Sequence, residues 1–395
     1  MRLNNNQLVF LKLLRAGLWE DIKVNGDGLM VNDLPLTFSD SIDWEEVHKI
    51  AEEQSVIGLV AAGIGHVADV KVPKLNALTF VGDTLLLEQR NQAMNEFVAW
   101  LMELLQKENI YAILMKGQGI AQCYKRPLWR TCGDVDLLLS EDNYEKAKKL
   151  LIPMALDVEQ EYKSFKHLGM TMQGGFIVEL HGTMHSRLSS RVDRVIDETQ
   201  RDMFLKRKVR SVNFNANHNA NINLYGTKVG STSVQVHLPA PDEDVIFVFT
   251  HIMHHFYIEG IGLRQICDWC RLLWTYRASL DCELLESRIR QMRLMTEWKA
   301  FYNLASRYLG MPDCGSGLMV YDSRFDKKAD KILEFVMEVG NFGHNRQAAS
   351  GKISSAWYKM RDFARHSLLF PWDSVKFFWH FLWNGVGLTL TKERP

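Results

Sequence analysis

The chain has 395 residues, 47% of them hydrophobic and 24% charged, an ordinary soluble globular balance with length enough for two or three domains. Forty-seven Lys and Arg offset 47 Asp and Glu, so the formal net charge is zero. Neutrality argues against a general nucleic-acid coat, which needs a basic surface, and points to a small-molecule or protein partner.

The six cysteines, Cys123, Cys132, Cys267, Cys270, Cys282 and Cys314, are too sparse for a disulfide framework in a chain of this length. Cys267 and Cys270 form a lone C-x-x-C inside GLRQICDWCRLLW, a helical pattern. A zinc ribbon needs a second pair, so buried helical thiols are expected.

In chain order, MRLNNNQLVFLKLLRAGLW carries a short apolar run broken by Lys12 and lacks a small-residue cleavage site. It predicts an amphipathic helix rather than a signal peptide. Asp43 and Glu46 fit a capping box that opens a helix through Ala51. Over 76–108, Met94, Phe97, Val98, Leu101, Leu104 and Leu105 recur at three-to-four spacing, a helix burying one face that Asn109 ends. The texture then changes. Tyr111 to Met115 predicts a buried strand, 118–125 a short helix, Asp134 to Leu139 a second strand, and 141–152 a charged amphipathic helix. Met170 to Met172 and Phe176 to His181 predict a hairpin about Gly174-Gly175. A helix over 190–208 and strands at 220–225 and 232–238 follow, with an Asn-rich patch at 213–223. Helices are then expected at 242–257, 262–278, 282–293 and 296–309. The apolar segment WDSVKFFWHFLWNGVGL is interrupted by Asp373, Lys376 and His380 and reads as a packed helix, with an interfacial membrane helix as the alternative. No stretch reaches the ~18 apolar residues of a membrane span, and a cytoplasmic chain is expected.

The candidate chemistry lies in DVDLLL. On a strand, residues i and i+2 share a face, so Asp134 and Asp136 stand ~6.5–7 Å apart along the chain and repel. Divalent metal would resolve the repulsion; a solvated pair on an exposed strand would not need it. Lys116-Gly117 follows a strand and precedes a helix, which suits a phosphate cradle or an ordinary turn. Glu179, in FIVELH, offers a third carboxylate, and Arg130, four residues before Asp134, a cation for a triphosphate oxygen. His181 and His185 have a spacing that could bind zinc on a helix, but His181 ends a strand and better orients Glu179 or meets phosphate. His251, His254 and His255 cluster near a helix end, where a structural or supporting role is expected. Arg264 and Asp268, at i and i+4, read as a helix-packing ion pair or as support for the site.

The order strand, Gly turn, helix, D-x-D strand, later acidic strand resembles the DNA polymerase beta-like nucleotidyltransferase superfamily. LMKGQGIAQCYKRPLWRTCGDVDLLL is similar to an uncharacterised bacterial nucleotidyltransferase family of that superfamily, with Lys116, Gly117, Tyr124, Pro127, Arg130, Asp134 and Asp136 on its pattern. Val178 to His181 resembles its acid-x-His element, and His251, His255, Arg264 and Asp268 its downstream H…R…D element. The resemblance covers roughly residues 1–310. The chain departs in having Gln118 where the superfamily has a small residue after the glycine.

The expected fold is α+β: an N-terminal helical segment (1–108), a mixed-sheet nucleotidyltransferase core (109–240) and a C-terminal helical region (241–395). The resemblance implies transfer of a nucleoside monophosphate from an NTP to a protein, small-molecule or RNA acceptor, with release of pyrophosphate. Asp134, Asp136 and Glu179 would hold Mg²⁺ or Mn²⁺, while Lys116, Gly117, Gln118, Arg130 and His181 would hold the nucleotide and Arg264 and Asp268 support them. The alternative is a non-catalytic nucleotide-binding or partner-binding protein on the same fold.

Overall fold

The computed structural model describes residues 3–20, 42–67, 71–161, 166–215, 233–315, 317–341, 352–371, 374 and 376–377. It has the expected α+β architecture, a mixed sheet among helices with a helical C-terminal region.

The N-terminal part holds α1 (Asn5–Leu18), α2 (Trp44–Glu53), α3 (Ile57–Ile64) and the long α4 (Lys74–Lys107). Asn4 and Gln7 form a reciprocal capping box on α1. Asp43 caps α2 by accepting from the backbone N–H groups of Glu45 and Glu46 at 3.0 and 3.1 Å. Asn109, in the left-handed region at φ 54°, stops the run after α4.

The central block then runs β1 (Ala112–Met115), α5 (Gly117–Ala121), β2 (Asp134–Leu139), α6 (Glu141–Leu151), β3 (Asp157–Val158), β4 (His167–Thr171) and β5 (Ile177–His181). The strand order is β1-β2-β5-β4-β3. Strands β2 and β5 pair in parallel, which sets Asp136 beside Glu179; the other pairs are antiparallel. Gly174 and Gly175, both at positive φ, make the β4–β5 turn, a conformation that glycine adopts without steric cost.

The period-two alternation assigns each strand two faces. Val135, Leu137 and Leu139 of β2 with Val178 and Leu180 of β5 belong to a core built with α4 and α6, including Phe97, Leu101 and Tyr144. Phe97 stacks on Phe176 at 4.4 Å. The opposite face carries Asp134, Asp136, Glu179 and His181.

Helix α7 (Ser190–Leu205) is followed by the pair β6 (Val209–Asn215) and β7 (Ser233–Pro239). The helix expected to reach 208 therefore ends at Leu205, and the start of the Asn-rich patch lies in β6, whose Val212 and Phe214 pack on the sheet core. Burial of those two apolar side chains outweighs the poor strand preference of the asparagines. The strand expected at 220–225 lies outside the described residues.

Helices α8 (Pro241–Ile258), α9 (Leu263–Tyr276), α10 (Cys282–Met292), α11 (Met295–Tyr308), α12 (Asp326–Val339) and α13 (Lys352–Leu369) follow. They share one apolar core with α1–α3: Trp19 Nε1 donates to the Leu309 carbonyl at 2.6 Å, and Gln54 Nε2 to that of Val336 at 3.1 Å. Cys267 and Cys270 are fully buried in α9, as the helical reading of the C-x-x-C requires. Of the apolar C-terminal segment, Phe377 packs against Tyr257, as does Phe370 just before it, and residues 372, 373, 375 and 378–390 lie outside the described residues. Among the described residues no helix is long and apolar enough to cross a membrane.

Candidate active site

A cleft of about 460 Å³ lies between the sheet face that carries the carboxylates and helices α8 and α9. Lys116, Gly117, Asp134, Asp136, Glu179 and His181 line one side, and His251, His254, His255, Glu259 and Arg264 line the other. The sheet register builds the first wall. Met115 pairs with Asp136 across β1–β2, so the turn after Met115 brings Lys116 to the carboxylate. Lys116 takes φ 50° and Gly117 φ 38°, so two successive residues sit in the left-handed region. A Cβ on Gly117 would stand 3.3 Å from the Asp134 carbonyl oxygen.

Asp136 is 2% exposed and accepts from Lys116 Nζ at 3.3 Å. His181 Nε2 lies 2.8 Å from its Oδ1 and 3.4 Å from Glu179 Oε2. His167 Nε2 lies 3.2 Å from the same Glu179 oxygen, and the two imidazoles face each other at 4.8 Å. His167, Glu179 and His181 can bring ligand atoms within 4.8 Å of one another.

These groups titrate as a set. The Asp136 charge, then burial, then Glu179 lift Asp134 to about 6. Burial also works against the Asp136 charge, but the Lys116 ammonium and the His181 imidazole outweigh it and hold the carboxyl below its usual value. Glu179 likewise is held well below the carboxylate range, its burial overcome by hydrogen bonds from His167 and His181. Burial opposes the protons on His181 and Lys116, yet the neighbouring carboxylates raise both pKa values. Three carboxylates make the oxygen-rich set that a hard dication prefers. The repulsion expressed at Asp134 is a charge excess that a divalent cation would relieve.

Arg130 borders the cleft but is 4% exposed and turned to protein partners. Its Nε and Nη2 donate to the two Asp268 oxygens at 3.0 and 2.6 Å, and Nη1 donates to Cys132 Sγ at 2.8 Å. Tyr124 adds a 2.7 Å bond to Asp268 Oδ1. Asp268 therefore pairs with Arg130, while Arg264, four residues earlier on α9, donates to the Thr131 carbonyl at 3.0 Å. Gln118 is not brought to the cleft. Its side chain is 2% exposed, donates to Asn91 Oδ1 at 3.3 Å and accepts from Cys132 Sγ at 3.4 Å. The α5 backbone turns it inward, where a short hydroxyl would reach neither partner.

Sequence reasoning did not single out His167. The signal was available: His167 and His181 lie seven residues on either side of Gly174, and an antiparallel hairpin about that turn makes them partners. His251, His254 and His255 stand on the cleft wall itself. Burial, then Lys116, pushes the His251 pKa well down, and burial, then His255, pushes His254 down to about 4. His185 instead bonds Asp197 at 2.7 Å.

No curated protein and no solved structure matches the chain. A family model described as "Uncharacterised nucleotidyltransferase" matches residues 40–310, more than half of the chain, and the chain belongs to that family.

Proposed function

We propose that the chain transfers a nucleoside monophosphate from an NTP to an acceptor hydroxyl or phosphate and releases pyrophosphate. The observation that carries this reading is the parallel pairing of Asp136 with Glu179, with Asp134 on the same face and all three lining one cleft. Asp134, Asp136 and Glu179 would hold Mg²⁺ or Mn²⁺. When bound, the metal supplies a lower pKa for the attacking hydroxyl and a counter-charge for the leaving pyrophosphate.

The chain's own groups do the rest. Lys116, kept charged by the carboxylates, offers an ammonium to the phosphates beside the Gly117 backbone. His181 holds a proton between Asp136 and Glu179 and fixes both carboxylates, while His167 steadies Glu179 from β4. Glu179, set beside Asp136 by the parallel pairing, would help hold the catalytic ion and could take the acceptor's proton. Asp134, lifted to about 6 in the metal-free chain, gains the counter-charge it lacks when the ion binds. Arg130 acts by clamping Asp268, so the turn before β2 and helix α9 hold one position. Catalysis on such a site comes chiefly from positioning and electrostatics.

Thermal unfolding with ATP, GTP, CTP and UTP, each with and without Mg²⁺, tests the reading. Stabilisation by at least one nucleotide that needs the metal and is lost in Asp136→Asn is the expected result. No metal-dependent shift with any of the four removes the proposal. The buried Gln118 and the internal neutralisation of Asp136 by Lys116 favour a second reading, a nucleotide-binding protein without turnover. Metal-dependent binding with no pyrophosphate released, across protein, RNA and small-molecule acceptors, would select it.

A further inference from the structure

The wall opposite the carboxylates carries its own set of metal-type donors. His251, His255 and Glu259 follow one another at i+4 intervals along α8 and its C-cap, so they stack on one side of the helix. His254, His255 and Glu259 can place one ligand atom each within 4.8 Å of one another. His255 Nδ1 lies 2.8 Å from Glu259 Oε2. Donors bound to one tetrahedral dication at ~2.0–2.2 Å stand ~3.3–3.6 Å apart, between those two separations, so small side-chain rotations would bring the three onto one ion.

The remaining ring nitrogens point the same way. Metal-bound imidazoles usually donate their second N–H to a fixed acceptor, which sets the tautomer and the ring plane. His254 Nδ1 lies 2.5 Å from the Ser186 carbonyl, which leaves Nε2 as its lone-pair donor. His255 Nε2 lies 3.1 Å from His251 Nε2, so with Nδ1 as ligand it has an acceptor of its own. Two candidate ligand imidazoles thus each have a supporting partner, one from the β5–α7 loop and one from a turn earlier on α8. Two nitrogens and one carboxylate suit a borderline cation better than magnesium.

We propose that His254, His255 and Glu259 form a second metal site, for a first-row transition-metal dication of the zinc class, with Ser186 and His251 orienting the imidazoles. All three ligands line the cleft, so an ion held there would border the cleft space. A three-ligand site with open positions is the arrangement of zinc centres that bind substrate oxygen rather than purely structural ones. This site does not depend on the nucleotidyl-transfer reading, because it uses none of the sheet carboxylates.

The test uses the metal-stripped full chain carrying Asp136→Asn, so that the carboxylate site is impaired. Cobalt(II) serves as the spectroscopic probe and zinc(II) as its competitor. The expected result is a single equivalent of cobalt with ligand-field absorption of a nitrogen-bound ion, displaced by zinc. Adding Glu259→Gln, on a half-exposed side chain, weakens binding about tenfold or more, and so does His251→Phe through the lost orientation of His255. His254→Ala with His255→Ala abolishes the absorption. Absence of cobalt and zinc binding in the Asp136→Asn chain overturns the proposal. So does binding that Glu259→Gln leaves unchanged, whether or not the double histidine variant folds.

Discussion

Arg130 and Asp268, 138 residues apart in sequence, meet in a two-pronged ion pair that is almost wholly buried and joins the loop before β2 to helix α9. Removing one partner leaves the other charged and unpaired away from water, a loss of ~3–5 kcal/mol. Asp268→Ala is therefore expected to lower the free energy of unfolding in urea by about that amount. Arg130→Lys, which keeps charge but not the fork, should recover only part of it. A loss below ~1 kcal/mol for Asp268→Ala would mean the pair does not hold the loop.

Asp134 gives the metal-free protein a pH dependence of definite sign. Its folded pKa, about 6, stands above the ordinary 3.8. The stability it contributes is therefore fully present below about pH 4 and is lost as pH rises through about 6. In chelator, Asp134→Asn should raise the melting temperature at pH 7 by about 2–4 °C and leave it unchanged near pH 4. Saturating Mg²⁺ should close the gap at pH 7, since the wild-type carboxylate then has a counter-charge. A gap that is equal at both pH values would show that Asp134 does not carry the repulsion.

Gln118 bridges the buried Asn91 and Cys132 side chains. Gln118→Ser brings in the short hydroxyl usual after such a glycine but leaves Asn91 without this partner, a cost of about 1–3 kcal/mol. Denaturation should show that loss, and the nucleotide-induced thermal shift should stay the same. A larger shift would mean that a hydroxyl at this position reaches the ligand after all.

Gly117 combines φ 38° with a close approach to the Asp134 carbonyl. Gly117→Ala strains the backbone by ~1–2 kcal/mol. It also pushes the Lys116 turn away from β2. Metal-dependent nucleotide binding should fall further than stability does, and calorimetric titration beside urea unfolding separates the two. Equal losses would place the glycine's role in folding alone.

Local chemistry made most of the sheet side legible. DVDLLL forms the strand Asp134–Leu139 because its alternation commits one face to the core and the other to the acids. Glu179 was readable as a third carboxylate, but its place beside Asp136 depends on parallel pairing, which no local pattern declares. Arg130 read as a phosphate ligand because its partner, Asp268, lies on a helix whose docking only the tertiary structure supplies. The α8 histidines read as structural or supporting, and a helix buried almost all round does not announce which of its sides borders a cleft. Strand β6 was hidden by its asparagines.

The sharing of the cleft between the sheet and α8–α9 bears on how the protein can be cut down. A fragment ending at Ala240 would keep every sheet carboxylate and the Lys116 turn, yet Arg130 would face solvent without its acid, and the far side of the cleft would be open water. The smallest working unit is accordingly set by the opposing wall and extends past Asp268, although the acids span only residues 134–179.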